Sequence, residues 1–197
     1  THVPTKEDER IIIPDVQNPR YSYSGGKIVG ELLALHYLAK KGPEALVFRP
    51  HNIYAADMGN EHVIPQFVRR LKDLKAQSDA DTLQFPIQGD GSQTRAFCYI
   101  SDMVDGLLLM QEHGKSGEIY HIGTDEEVTI ADLAHGIANA MGTKIDIQTG
   151  DEPAGATPRR SPDISKLAAL GYSPKVNLEE GLKLTCAEEL IRLDSES

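Results

Sequence analysis

Short apolar runs alternate with longer stretches of helical periodicity along most of this chain. Residues 45–48 and 118–122 are short and mostly apolar, as is typical of strands that are buried in a sheet. Between them, residues 63–74 carry apolar side chains three and four positions apart, which predicts an amphipathic helix. Because strands and helices alternate, the pattern predicts the α/β class.

The remaining elements follow from the same two periodicities and from capping residues. Thr129 with Asp132, and Asn177 with Glu180, have the spacing of capping boxes at two helix starts. Further helices are predicted for residues 23–41, 101–113, 129–141 and 163–170 and from 177 onward. Further strands are predicted for residues 85–88, 96–100 and 144–149, and loops for residues 1–22 and 150–162.

Composition excludes several classes of protein. The chain has 197 residues, and its 20 Lys and Arg against 30 Asp and Glu give a net charge of −10, which argues against a nucleic-acid-binding surface. Two cysteines are too few for a disulfide framework, and the histidines lack metal-ligand spacing, so we expect no metal site. No apolar run approaches the roughly 20 residues of a membrane-spanning helix, and the polar start is unlike a signal peptide. We therefore expect a soluble cytoplasmic protein.

A tyrosine and a lysine stand four residues apart near the start of the first predicted helix. At this spacing Tyr23 and Lys27 lie on one helical face. A neighbouring positive charge stabilises a phenolate, so the pair can act as a general acid or base on a hydroxyl group. The alternative is an ordinary solvated helix face, and Tyr37 and Lys41 repeat the spacing at the frayed helix end. The pair alone leaves both interpretations open.

The order of further motifs favours the catalytic interpretation. After Tyr23 and Lys27 come, in order, residues 49–54, 63–67, 88–97, 99–105, 120–123, 159–166 and 178–182. From Pro4 to about Leu190 this ordered set resembles the extended short-chain dehydrogenase/reductase family, and within it the nucleotide-sugar epimerases, dehydratases and decarboxylases. The set is highly specific for the family and weakly specific for the individual member.

The resemblance implies roles for five polar residues. Tyr23 would be the catalytic base that takes the sugar hydroxyl proton while hydride moves to a bound nicotinamide. Lys27 would hold the nicotinamide ribose and stabilise the Tyr23 phenolate. Asn52, Arg95 and Arg160 match family positions that contact the substrate diphosphate, and a guanidinium suits phosphate oxygens because its hydrogen bonds form a fork. Without the resemblance, surface ion pairs are an equally good account of both arginines.

The resemblance also concerns the nucleobase pocket and the substrate loop. Phe85 and Ile87 match the family segment that lines the nucleobase pocket. An edge strand is compatible with this role, and Pro86 favours an edge position because it cannot donate a hydrogen bond to a neighbouring strand. Residues 55–57 (Ala-Ala-Asp) stand where Gly-Pro usually follows the tyrosine, Ala96 replaces a usual acidic residue, and His121 replaces a common asparagine. We expect these departures to alter the substrate loop.

The family places its cofactor fingerprint upstream of the region that this chain matches. A dinucleotide site needs a glycine-rich turn, a helix N-terminus and an acid for the ribose, whereas Gly89 and Gly91 are followed by no helical pattern. We therefore expect a chain without its N-terminal cofactor half: the C-terminal part of a doubly wound (Rossmann-type) parallel sheet plus a smaller mixed α/β substrate domain. The first unit would comprise residues 1–57 and 97–123, and the second residues 58–96 and 124–197.

The favoured hypothesis is an NAD-dependent nucleotide-sugar epimerase that oxidises the sugar 4-hydroxyl transiently through Tyr23. A nucleotide-sugar 4,6-dehydratase or a UDP-glucuronate decarboxylase is the alternative, because the same oxidation permits elimination or decarboxylation. A different class stays open: without a cofactor half, the chain would be a non-catalytic module that binds nucleotide sugars or assists assembly. The resemblance also implies a homodimer formed through the helix that carries Tyr23.

Overall fold

The computed structural model describes residues 2–38, 42, 44–152 and 157–195. Its helices are α1 (Ser22–Leu32), α2 (Val63–Gln77), α3 (Ile100–His113), α4 (Ile130–Ala140), α5 (Ser165–Ala168) and α6 (Leu178–Ser195). Its strands are β1 (Val47–Pro50), β2 (Ile53–Tyr54), β3 (Thr82–Pro86), β4 (Thr94–Ala96), β5 (Cys98–Tyr99), β6 (Ile119–Ile122), β7 (Glu127–Thr129), β8 (Lys144–Gln148) and β9 (Arg159–Arg160). None of the helices within these ranges is long and apolar enough to cross a membrane.

Most strand pairs are parallel. β1 pairs with β6, β2 with β5 and β3 with β8, each in the parallel sense. β4 lies between β7, to which it is antiparallel, and β9, to which it is parallel. The predicted α/β class is confirmed, since parallel strands need crossover connections and helices lie between the paired strands in the chain.

The capping boxes found in the sequence mark two helix starts. Thr129 Oγ1 accepts a 2.9 Å hydrogen bond from the Asp132 backbone N–H, and α4 begins at the residue after Thr129. Asn177 Oδ1 accepts a 2.9 Å hydrogen bond from the Glu180 backbone N–H at the start of α6. Each cap satisfies a backbone donor that the first helical turn leaves free, which stabilises the helix by about 1 kcal/mol.

Several predicted elements differ from the structure: the strand expected at residues 85–88 is the end of β3, and the helix expected at residues 163–170 is reduced to α5. The strand expected at residues 96–100 is divided between β4 and β5, and its last residue belongs to α3. The loop expected at residues 150–162 contains β9, which is held by pairing with β4 and has no apolar pattern of its own. The helix expected over residues 23–41 is α-helical only to Leu32 and continues as a π-helical turn to Leu38, and Lys41 lies outside the described residues.

Two apolar clusters form the core. The larger one joins α2, α4, α6 and β3 and includes the buried residues Val68, Leu71, Phe85, Leu133 and Ile137. The smaller one joins α3, β6 and α5 and includes Met110, Tyr120, Ile122, Leu167 and Tyr172. Complete burial of one such aliphatic or aromatic side chain contributes about 1.5–3 kcal/mol, so the two clusters account for much of the drive to fold.

Helix α1 lies outside both clusters. None of its residues is buried, and Val29 and Leu32 are about half exposed. Its Glu31 carboxylate instead accepts two hydrogen bonds from Arg49 on β1, at 2.7 and 2.8 Å. This bidentate ion pair attaches α1 to the sheet.

Candidate active site

Tyr23 and Lys27 lie on the same side of α1. The Lys27 Nζ is 5.2 Å from the centroid of the Tyr23 ring, within the range of a cation–π contact. Tyr23 is 75% exposed, so a ligand can reach its hydroxyl. The structure therefore brings these two predicted residues together on an exposed helix face.

Arg49 connects this helix to the rest of the site. Besides its bonds to Glu31, the guanidinium donates to the Glu7 backbone oxygen at 3.1 Å, and the Glu7 carboxylate accepts a 2.9 Å bond from the His121 backbone N–H. Helix α1, strands β1 and β6 and the N-terminal segment are thereby linked through Arg49 and Glu7. No role is predicted for Arg49 from the sequence, and its place in the motif at residues 49–54 is the signal that points to it.

Asn52 adopts a backbone conformation that few residue types favour. Its φ of 42° lies in the left-handed region, which asparagine tolerates better than most residues. Its Nδ2 donates a 2.9 Å hydrogen bond to the Ala96 backbone oxygen, and its backbone oxygen accepts a 3.2 Å bond from the Cys98 N–H. These bonds fix the residue between β1 and β2 against the β4–β5 segment, and Asn52 lies at the edge of a cleft.

The predicted diphosphate ligands Arg95 and Arg160 lie side by side. They are register partners on the parallel strands β4 and β9, which places both side chains on one face of the sheet. Arg95 donates to the Thr94 backbone oxygen and the Gln93 side chain, and Arg160 donates to the Thr157 hydroxyl. Within the described part of the chain, neither guanidinium forms an ion pair with a carboxylate. Burial, and then the Arg160 charge, lowers the Arg95 pKa.

Arg159 differs from its neighbour Arg160. It donates to both oxygens of the Glu127 carboxylate, at 2.9 and 2.6 Å. This contact, with a further bond from the Thr94 hydroxyl, lowers the Glu127 pKa to about 2. Because side chains alternate along a strand, one arginine of β9 is neutralised on one face and the other stands next to Arg95 on the opposite face.

A cleft of about 290 Å³ opens beside Arg95, close to the lower end of the range for small-molecule sites. Arg70 lies over the rings of Phe67 and Phe85, 5.6 and 5.4 Å from their centroids, and donates to the Pro86 backbone oxygen. The lining combines apolar side chains with polar ones, among them Asn52, Glu61, Gln66, Arg70, Gln88 and Arg95. The cleft therefore offers cationic and amide groups, and the buried rings of Phe67 and Phe85 lie beneath one of these cations, Arg70.

Phe85 and Ile87 belong to the core beneath this cleft. Phe85 is 0% and Ile87 4% exposed, and both side chains are part of the larger apolar cluster. Arg70 and Gln88 line the cleft at this end. The contact of Phe85 and Ile87 with a nucleobase stays a prediction.

Two histidines that show no common motif in the sequence are in contact in the structure. The rings of His51 and His121 pack edge to face with their centroids 4.5 Å apart. His51 Nε2 and His121 Nδ1 are buried and have no hydrogen-bond partner among the described residues. Burial is the main cause that lowers the pKa of both side chains, that of His51 to about 4. The register of β1 and β6 creates this contact, and no local sequence pattern indicates it.

Only part of a nicotinamide dinucleotide site can be recognised. The exposed hydroxyl of Tyr23 and ammonium of Lys27 fit contacts with a ribose. Gly89 and Gly91 have positive φ values of 70° and 80°, but β4 follows them, so they form a tight turn and not a pyrophosphate-binding turn before a helix. Across residues 2–38, 42, 44–152 and 157–195, no glycine-rich turn joins a strand to a helix in the manner of a dinucleotide site.

Comparison with known proteins shows what this chain is similar to. Residues 2–123 match the model of the NAD dependent epimerase/dehydratase family. The chain is 35% identical over 178 residues to UDP-glucuronic acid decarboxylase 3 from Arabidopsis thaliana, a match that covers 89% of this chain and 49% of that protein. The chain spans about half the length of the curated relatives it matches.

Solved structures share the fold. UDP-glucose 4-epimerase from Thermotoga maritima, solved with UDP-glucose, has a TM-score of 0.75 and 26% identity over 98% of this chain and 59% of its own. The dTDP-glucose 4,6-dehydratase from Streptomyces venezuelae, solved with NAD bound, has a TM-score of 0.72 and 29% identity over 88% of this chain and 52% of its own. These similarities confirm the Rossmann-type α/β fold expected from the sequence.

Proposed function

This chain belongs to the NAD-dependent epimerase/dehydratase family, and we propose that it carries the catalytic base and the substrate cleft of a nucleotide-sugar epimerase. Tyr23 is the proposed base, and Arg95 and Arg160 are the proposed ligands of the substrate diphosphate. The observation that carries the proposal is the pairing of these two guanidiniums without a carboxylate partner among the described residues.

Two adjacent cations suit an anionic ligand. Arg95 and Arg160 repel each other in the free protein, and a diphosphate removes that repulsion while it accepts forked hydrogen bonds from both. The nearby Glu127 carboxylate does not neutralise Arg95 or Arg160, because it is already paired with Arg159. The arrangement therefore favours a substrate with a diphosphate over a neutral sugar.

Tyr23 and Lys27 account for the proposed proton transfer. NAD, when bound, supplies the hydride acceptor. Tyr23 accepts the proton of the sugar hydroxyl, and the Lys27 ammonium lies 5.2 Å from the centroid of the Tyr23 ring on the same helix face. Tyr23 would return the proton to the sugar oxygen when the oxidised sugar is reduced again from its opposite face, which would complete an epimerisation.

A decarboxylase that acts on a nucleotide uronate is the second candidate. It is supported by the 35% identity with UDP-glucuronic acid decarboxylase 3, and a dTDP-glucose 4,6-dehydratase from Actinoplanes sp. is also 35% identical to this chain. The two reactions share the oxidation of a sugar hydroxyl and differ in the fate of the oxidised sugar. Elimination, as in the dehydratase relative, is a third outcome of the same first step.

Nucleotide binding tests the role of the arginine pair. We expect UDP, dTDP or GDP to bind the chain, and Arg95→Met and Arg160→Met each to raise the Kd of the tightest ligand by about tenfold or more, because each variant loses charge-assisted hydrogen bonds. Isothermal titration calorimetry at constant ionic strength measures the Kd. Lys183→Met removes an exposed cation on α6 and is the charge-matched control. Unchanged binding in both arginine variants would contradict the proposal.

Product analysis separates the candidate reactions. The chain is incubated with NAD and either UDP-glucose or UDP-glucuronate, and the products are identified by NMR and by release of CO₂. A 4-epimer supports the epimerase, and CO₂ supports the decarboxylase.

Tyr23→Phe removes the proton acceptor, so we expect turnover to fall by about 10²–10⁴ with the nucleotide Kd unchanged. Tyr37→Phe, on the turn that follows α1, is the matched control. Nucleotide binding without turnover would leave a non-catalytic binding module.

A further inference from the structure

Asn60 lies in the loop that precedes α2 and is contacted by side chains from both α2 and α6. Its Oδ1 accepts a hydrogen bond from Arg192 Nη2 on α6 at 3.0 Å and another from Arg69 Nη2 on α2 at 3.3 Å. Two guanidiniums from different helices therefore converge on one amide oxygen in the loop of residues 55–62.

Arg192 is itself held by a buried carboxylate. Glu189 is 1% exposed, and Arg192 donates to both of its oxygens, with Nε 3.1 Å from Oε2. A buried carboxylate is costly unless it is paired, so the Arg192 guanidinium stays beside Glu189. The Lys72–Asp194 ion pair also joins α2 to α6, but its aspartate side chain is 72% exposed, and such pairs contribute little. The loop is thus anchored by the buried pair.

The residues that follow Asn60 form one wall of the cleft beside Arg95. Glu61, Val63 and Gln66 line this wall. The Gln66 side chain donates a 3.0 Å hydrogen bond to the Glu61 backbone oxygen, so the wall is also connected internally. A shift of Asn60 would be transmitted to the wall through backbone hydrogen bonds, because the His62 N–H donates to the Gly59 oxygen and the Gln66 N–H to the His62 oxygen, each at 3.1 Å.

We propose that Asn60 is a positioning residue for the nucleotide: held by Arg69 and Arg192, it sets the position of the wall at residues 61–66 and thereby the affinity of the cleft. The inference rests on the proposed function, because it takes the cleft as the nucleotide site. Asn60 acts through the wall and does not itself contact the ligand.

Variants of Asn60 are tested with two readouts. Asn60→Leu removes the acceptor of both arginine bonds, so we expect the Kd of the tightest of UDP, dTDP and GDP to rise by about fivefold to tenfold. In the ligand-free protein, the amides of residues 59–66 should exchange hydrogen faster in this variant. Asn60→Asp keeps an acceptor for both arginines and should restore both readouts. Lys72→Met breaks the exposed pair between the same helices and should change neither.

The two readouts separate failure of this inference from failure of the proposed function. Unchanged exchange at residues 59–66 in Asn60→Leu would overturn the positioning role, and faster exchange with an unchanged Kd would overturn the link to affinity. If none of the three nucleotides binds the wild-type chain, the proposed function fails and the inference with it. Should Asn60→Leu not fold, Arg69→Met removes one of the two donors and gives the same comparison.

Discussion

His51 and His121 place two imidazole rings against each other at the carboxyl ends of β1 and β6. His51 faces His121 and the Arg49 guanidinium, and the Glu7 carboxylate and Asp163 lie near His121. Burial is the largest cause that lowers the His51 pKa from 6.5 to about 4, and the neighbouring His121 and Arg49 lower it further. The His51 ring therefore remains neutral in the folded protein under conditions in which an exposed histidine takes up a proton.

We expect the free energy of unfolding to fall as the pH drops from 6.5 towards about 4. In this window the unfolded chain binds a proton at His51 that the folded protein excludes, so acid favours the unfolded chain. The stability that His51 contributes is complete above its unfolded pKa and is lost as the pH falls. The loss reaches about 3 kcal/mol, since each pKa unit corresponds to about 1.4 kcal/mol. Urea unfolding at a series of pH values measures it.

Two leucine variants identify the source of this pH dependence. His51→Leu should flatten the curve in the upper part of the window, where carboxylates do not yet titrate. His113→Leu, at the exposed end of α3, should leave the curve as it is in the wild type. An unaltered slope in His51→Leu would contradict the assignment.

Among the elements, helix α1 depends on its ion pair with β1. None of its residues is buried, and the Glu31 and Arg49 side chains are only 18% and 20% exposed, so solvent screens the pair in part. We expect Glu31→Gln to increase local opening of α1, and trypsin to cleave after Lys27 about tenfold faster under native conditions, because a charge-assisted bidentate contact is lost. Mass spectrometry of the early fragments measures the cleavage rate.

The control for the helix experiment lies on α6. Glu179→Gln breaks an exposed ion pair with Lys183 and should leave cleavage after Lys27 unchanged. Equal cleavage rates in Glu31→Gln and the wild type would show that other contacts hold α1 in place.

Sequence patterns predicted elements well where residues close in the chain decide the outcome. Thr129 and Asn177 each cap a helix through a residue three positions away, so both starts could be located from sequence. The strand formed by Arg159 and Arg160 could not, because two arginines have no apolar alternation and only the pairing with β4 makes them extended.

In the candidate site, too, the sequence indicates individual residues but not the contacts between residues that are distant in the chain. The resemblance to a known family pointed to Arg95 and Arg160, but only the register of two distant strands shows that the two are neighbours. The contact between His51 and His121 depends on the register of β1 and β6 in the same way. The anchoring of Asn60 by Arg192 depends on the packing of α6, which no motif around Asn60 reveals.

In the molecule as a whole, the polar site residues lie apart from the side chains that drive folding. The apolar clusters are built from α2 to α6 with β3 and β6, whereas Tyr23 and Lys27 project from a helix outside both clusters. Arg95 follows the same rule, since its neighbour Ala96 is fully buried while the guanidinium lines the cleft. Substitutions of Tyr23, Lys27 and Arg95 should therefore change binding more than they change stability.

The juxtaposition of Arg95 and Arg160 also couples the fold to its surroundings. A dianion bound between these two arginines, as we propose, would bind the folded chain and not the unfolded one, so by mass action its free concentration would enter the folding equilibrium. At a concentration of about a hundred times the Kd, the folded state gains about 2.7 kcal/mol. Without a bound anion, the β4–β9 pair holds two like charges next to each other, and a bound dianion would offset their repulsion. For the proposed nucleotide ligand, the amount of folded protein would rise and fall with the concentration of the nucleotide.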